Sequence, residues 1–225
     1  MREAPRLRGG VGARLVCLFV GLTVISSGIA ALLESRLGLL PWDVLHQGIA
    51  RQTPLLIGQA NIVVAVVMLG VAWLLGQPPG LGTVANAIVI GALVDVFIRI
   101  GWVAALADSS LGVRIGLLAF GLVAFAVGST LYIGSAFGAG PRDSTMLALS
   151  RRTGRRIALV RAAIELSALA AGWALGGTVG FGTAVCAILV GPAVEAGFWV
   201  AVHLRVAVPP ESALAAPPAA LGPAD

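Results

Sequence analysis

The stretch G-L-L-P-W-D at residues 38–43 returns one hundred residues later as G-A-G-P-R-D at 138–143, and this pair organises the rest of the chain. Working outward, W-L-L-G at 73–76 returns as W-A-L-G at 173–176, and G-L-G-T at 80–83 as G-F-G-T at 180–183. An acidic residue set in apolar sequence also has its twin, Asp95 and Glu195. Laid ungapped on one another, residues 14–98 and 114–198 agree at about 23 of 85 positions. Ungapped chance rarely reaches that level, so the sequence reads as a duplicated and fused half. Self-similarity at a fixed period announces a repeat architecture. In apolar sequence it points to a membrane protein of two related bundles.

Composition agrees with that class. Hydrophobic residues make up 58% and charged residues 11% of the 225 residues, against about 25% charged in a soluble domain. A chain of this size cannot hide so much apolar surface from water, so its solvent is lipid. The net charge of +5 gathers in the N-terminal arm and one loop. It therefore reads as topology and not as a nucleic-acid surface. Cys17 and Cys186 lie in apolar segments without metal-ligand spacing and read as small buried hydrophobes.

Six segments, at 14–34, 58–76, 83–104, 114–136, 157–176 and 183–204, each approach the ~20 residues that a spanning helix needs. The predicted fold is all-α, a polytopic bundle of two tandem repeats with six spans and two short half-helices. A cytoplasmic arm covers 1–13, membrane repeat 1 covers 14–104 and repeat 2 covers 114–204. An Ala- and Pro-rich tail at 206–225 is expected to be disordered. Thr83 and Thr183 stand where they can cap the third and sixth spans. Gly21 and Gly28, with their twins Gly121 and Gly128, suggest close helix contact. Trp42, Trp102 and Trp199 read as interface belts.

The half-helices occupy 41–53 and 141–153, each with Pro at its start. A dozen helical residues reach about 18 Å, half a bilayer, so they read as re-entrant, with an amphipathic surface loop as the alternative. With six spans and the N-terminus inside, eleven arginines (2, 6, 8, 14, 142, 151, 152, 155, 156, 161, 205) fall on the cytoplasmic side and four (36, 51, 99, 114) outside. The expected location is the bacterial inner membrane with a cytoplasmic N-terminus. Three spans per half make the halves inverted. If the half-helices cross, each half has four spans and the repeats are parallel.

The segments P-W-D-V-L-H-Q-G-I-A-R-Q-T, G-P-R-D-S-T-M-L-A-L-S-R-R-T-G, V-R-A-A-I-E-L and G-W-A-L-G-G-T-V-G-F-G-T resemble the YczE-type branch of the YczE/YyaS/YitT bacterial membrane proteins. The resemblance covers nearly all of 14–204. It implies a multi-pass membrane fold and brings no substrate or activity with it. Copy 1 carries Q-T-P-L-L where copy 2 carries R-T-G-R-R, so the exits of the two half-helices differ.

Polar groups inside an apolar bundle are costly and mark candidate sites. Asp43 and Asp143 stand in the first turns of the half-helices, where they can cap orphan amides or form paired carboxylates at a central site. Arg161 with Glu165, and Asp95 with Arg99, have the i,i+4 spacing of intrahelical ion pairs. Glu195 has no basic residue within a turn. His46 and Asn61 align with Met146 and Arg161, so any site is asymmetric. The candidate site is Asp43, Asp143, Asp95, Glu195, Arg161, Glu165 and His46, with Asp95 and Glu195 expected to share the cavity of the twinned aspartates.

No G-x-S-x-G, H-E-x-x-H, C-x-x-C or phosphate loop occurs, so no enzyme, metal or cofactor is expected. Broken helices in inverted repeats are transporter geometry, and the favoured reading is translocation of a small solute or ion. The rival is a non-transporting scaffold or regulator of an exporter or biosynthetic enzyme. The expected partners are the lipid bilayer and that solute or ion, with a second copy or another membrane protein as further candidates.

Overall fold

A computed structural model describes residues 4–138 and 140–209. The long helices are α1 (Val11–Ser35), α3 (Ile57–Leu74), α4 (Leu81–Ile100), α5 (Leu111–Gly134), α7 (Ile157–Ala174) and α8 (Phe181–His203), with short α2 (Pro41–Gln52) and α6 (Pro141–Thr153) between them. All six long helices are apolar enough to cross a membrane by length and composition. Large apolar side chains such as Trp73, Phe181 and Ile188 point outward from them, which suits lipid as the surrounding solvent. The half-helices begin as expected because Pro fits the first helical position, where no amide partner is needed. Each is preceded by a glycine with φ near +130° (Gly38 and Gly138), a backbone shape that a side chain would oppose.

The centre is the crossing of α1 and α5. Gly21 lies against Gly128 and Gly28 against Gly121, so the helices run antiparallel, each glycine of α1 meeting the counterpart of the other in α5. A Cβ at any of the four would fall within 3.0 Å of the partner's backbone. The small-residue seam is therefore what lets the two backbones meet. Leu18, Leu22, Ile25, Ile29, Ile90, Val94 and Tyr132 pack a core beside it.

The remaining elements are exchanged between the two halves of the chain. α2 packs on α7, and α6 on α3. The amide of Gly82, at the start of α4, donates to the Phe137 carbonyl at 2.8 Å, and that of Gly182, at the start of α8, to the Leu37 carbonyl at 2.8 Å. Thr83 and Thr183 act at these starts from the third helical position and not as N-caps. Their hydroxyls accept from the amides of Gly80 and Gly180 at 3.1 and 3.3 Å. Thr183 also accepts from Leu39 at 3.1 Å, which ties α8 to the approach to α2.

Both half-helices lie along a long helix of the other half of the chain. Trp42 packs with Ala168, in the middle of α7, whereas Gln52 donates to the Leu175 carbonyl at its end. The side chains of α2 thus reach from Ala168 to the end of α7, while its backbone at Val44 and Gly48 lies against Gly172 and Gly177. α6 follows α3 in the same sense, from Arg142 near Asn61 to Thr145 bonded to the Met68 carbonyl.

At one end of the molecule Arg6–Leu7 (β1) and Ala207–Val208 (β2) form a short antiparallel pair, with Leu7 buried against Gly134. The first residues of the expected disordered tail are therefore ordered, because a strand partner and an apolar seat are both at hand. Positions 210–225 of that tail lie outside the described residues.

Candidate functional site

The first turns of α2 and α6 meet in the middle of the bundle. Arg142, the second residue of α6, lays its guanidinium over the Trp42 ring at 4.9 Å. It reaches Asn61 Oδ1 at 3.5 Å. Electrostatically its neighbours are Asp43, Asp143 and Glu165, with the Tyr132 hydroxyl close by. Arg142 thus links the twinned aspartates.

Asp43 and His46 are 3% and 1% exposed, and Asp43 Oδ1 lies 3.4 Å from His46 Nδ1. The outer atoms of the pair, Asp43 Oδ2 and His46 Nε2, are buried and have no hydrogen-bond partner among the described residues. Buried polar groups are almost always paired, so this is where the bundle has spare bonding capacity. On the other side, Asp143 interacts electrostatically with Arg161, Arg142 and Glu165. Arg161 donates to Glu165 at 2.9 Å, the ion pair their spacing predicts. Three carboxylates (Asp43, Asp143, Glu165) thus face two guanidiniums (Arg142, Arg161).

Toward the end where α2 finishes, a cavity of about 260 Å³ is lined by Leu39, Arg36, Gln47, Arg51 and Thr178, among others. Arg51 donates there to the Gly176 carbonyl and to Thr178, and the Gln47 side chain accepts from the Thr178 amide at 2.6 Å.

A family model described as a family of unknown function, DUF6198, matches residues 12–197. The chain belongs to that family. It is 34% identical over 175 residues to the uncharacterized membrane protein YczE of Bacillus subtilis (strain 168), covering 77% of this chain and 80% of that one. An uncharacterized protein of Haemophilus influenzae is 33% identical over 178 residues, covering 79% and 80%. The B. subtilis protein YyaS is 25% identical over 173 residues, covering 76% and 86%. No solved structure matches. Six apolar helices and these relatives make the chain a multi-pass membrane protein.

Of the residues singled out in the sequence, Asp43, His46, Asp143, Arg161 and Glu165 belong to one cluster. Asp95 and Glu195 do not. Asp95 makes no ion pair with Arg99 among the described residues and instead caps α3, accepting from the amides of Gly58 at 2.7 Å and Gln59 at 3.1 Å. Two orphan amides on the facing helix offer a carboxylate better bonds than a guanidinium one turn away. Glu195 is exposed on α8. Trp42 is not an interface residue: it is 6% exposed and packs on Met146 and Ala168. The sequence reading passed over Arg142 and Tyr132. The signal was a contrast between aligned positions, since Arg142 stands one hundred residues after Trp42, each beside an aspartate.

Proposed function

We propose that this protein moves a small solute or ion across the bacterial inner membrane, with its N-terminus in the cytoplasm and its two halves inverted. The observation that carries the reading is the meeting of the two half-helix starts at a mixed-charge cluster around the buried Asp43 and His46, whose outer acceptors are unfilled among the described residues. Half-helices that break at the middle of a bilayer are where secondary transporters hold their substrates. The antiparallel α1–α5 crossing supports inversion, since matching helices of an inverted pair run in opposite senses. With Nδ1–H of His46 turned to Asp43, its Nε2 is an acceptor, and so is Asp43 Oδ2. Two buried acceptors, and carboxylates in excess of guanidiniums, favour a cationic solute, a proton included, over an anion.

The test is uptake by purified protein in sealed vesicles, with internal pH and a panel of monovalent cations and small amines followed in turn. Wild type should move at least one of these above empty vesicles, and Asp43→Asn and Asp143→Asn should lose that flux while eluting as the same monodisperse species. Flux unchanged in both variants would refute the site. A wild type inactive on the whole panel, with a protein partner that co-purifies, would favour the scaffold reading.

A further inference from the structure

The two outer hairpins, α3–α4 and α7–α8, are built from matching parts that are joined in one and apart in the other. In the first, Asp95 caps α3 through Gly58 and Gln59, and Gly91 is buried against the Gly58 carbonyl and Ile62. In the second, Glu195 is exposed and takes no hydrogen bond among the described residues. Gly191 has nothing near its missing Cβ, and Ala158 at the start of α7 is exposed. α3 packs along α4, but α7 makes no comparable contact with α8.

A second pair of matching residues shows the same asymmetry. Arg114 at the start of α5 clamps the end of α1, donating to the Ser35 carbonyl at 2.8 Å and that of Arg36 at 3.1 Å. Its counterpart Arg14, at the start of α1, makes no such bond to the end of α5. It lies over the Phe137 ring at 5.0 Å, with a buried Nε that has no partner among the described residues. One end of the molecule is latched twice, and the latches of the other end are both undone.

We propose that this structure is one of two end states, and that in the other Glu195 caps the start of α7 as Asp95 now caps α3, while Asp95 lets go. The inference rests on the transport reading and gives it a gate. It makes this state open between the start of α7 and the end of α8, beside Arg161 and Glu165, and closed at the start of α3. Exchange costs little, because one carboxylate-capped helix start is undone as the other forms. The side chains fit the exchange. A Cβ at position 58 would strike the Gly91 carbonyl, so the methyl of Ala158 keeps α7 farther from α8 than α3 is from α4. The carboxylate opposite it is Glu and not Asp, and its extra methylene spans that added gap.

The experiment is disulfide trapping of α7 to α8 in membranes, with Ala162→Cys and Gly191→Cys in a Cys17→Ala, Cys186→Ala background. Positions 62 and 91 touch in the latched hairpin, so this pair reports the latched form of the other. Cross-linking should rise about fivefold with Asp95→Ala and fall about as far with Glu195→Ala, the scale of one lost cap in a two-state balance. Ala158→Gly combined with Glu195→Asp recreates the latched pair and should raise it without disturbing α3–α4, so the test stands even if Asp95→Ala folds poorly. A yield indifferent to Glu195→Ala and to the recreated pair would overturn the switch. Flux is read separately. Cross-linking that responds in a protein that moves nothing sinks the transport reading alone, whereas flux with indifferent cross-linking sinks the switch alone.

Discussion

Replacing Gly128 by Ala puts one methyl into the α1–α5 crossing, and the structure sets its cost. The new Cβ would lie 2.6 Å from the Gly21 carbonyl and 2.8 Å from the Ile25 amide. That is about 0.8 Å short of the 3.4 Å at which ordinary contact begins. Both obstacles are backbone, so a rotamer change cannot relieve them and the helices must part along the seam. Overpacking of this kind costs about 1–3 kcal/mol. Against it stands the gain of up to about 1 kcal/mol from Ala over Gly inside a helix. Gly116 is the control: it lies in the same helix with nothing within 4 Å, so Gly116→Ala keeps the gain and has no clash. Gly128→Ala should therefore be less stable than Gly116→Ala by about 1–3 kcal/mol, read from unfolding of purified protein in mixed micelles titrated with SDS. Equal midpoints would mean that α1 and α5 do not meet backbone to backbone.

Asp95→Ala should destabilise by about 1–2 kcal/mol through loss of the α3 cap, with Asn recovering most of it, in the same titration. Arg142→Gln leaves Asp43 and Asp143 without their shared cation; removing one partner of a fully buried ionic set costs about 3–5 kcal/mol, and with Arg142 and Asp143 half-buried the loss falls below that. Folded yield in detergent should collapse and recover partly when Asp43→Asn is added, whereas no recovery would remove Arg142 from the site. Arg161→Ala should lower folded yield more than Arg161→Ala with Glu165→Ala, because only the single change strands a carboxylate; equal yields would place both groups in water.

The sequence carried the helices and their breaks because both are local matters. Apolar length defines a span, and Pro at the start of a dozen helical residues defines a half-helix. The Arg161–Glu165 pair was legible for the same reason, being set by one turn of helix. What was not legible depends on which element lies against which. Asp95 stands one turn from Arg99, but α4 packs on the start of α3, and Gly58 and Gln59 supply amides that the chain order does not announce. Trp42 reads as an interface tryptophan until α2 is seen to lie deep against α7, and Arg142 reads as a loop arginine until Trp42 is found beneath it. His46 looked like a polar group on a short amphipathic helix. Its burial follows from the exchange of α2 and α6 between the halves, which pairwise matching of the copies cannot show.

The central claim is that the two halves cross the membrane in opposite senses, and labelling of the two α-hairpin turns tests it most directly. Pro79→Cys and Val179→Cys sit at exposed, matching positions of the α3–α4 and α7–α8 turns. In intact cells or sealed right-side-out vesicles of the Cys17→Ala, Cys186→Ala protein, a membrane-impermeant maleimide should label position 179 at once and position 79 only after permeabilisation. Labelling of both from the same side would contradict inverted halves and leave four crossings per half as the arrangement.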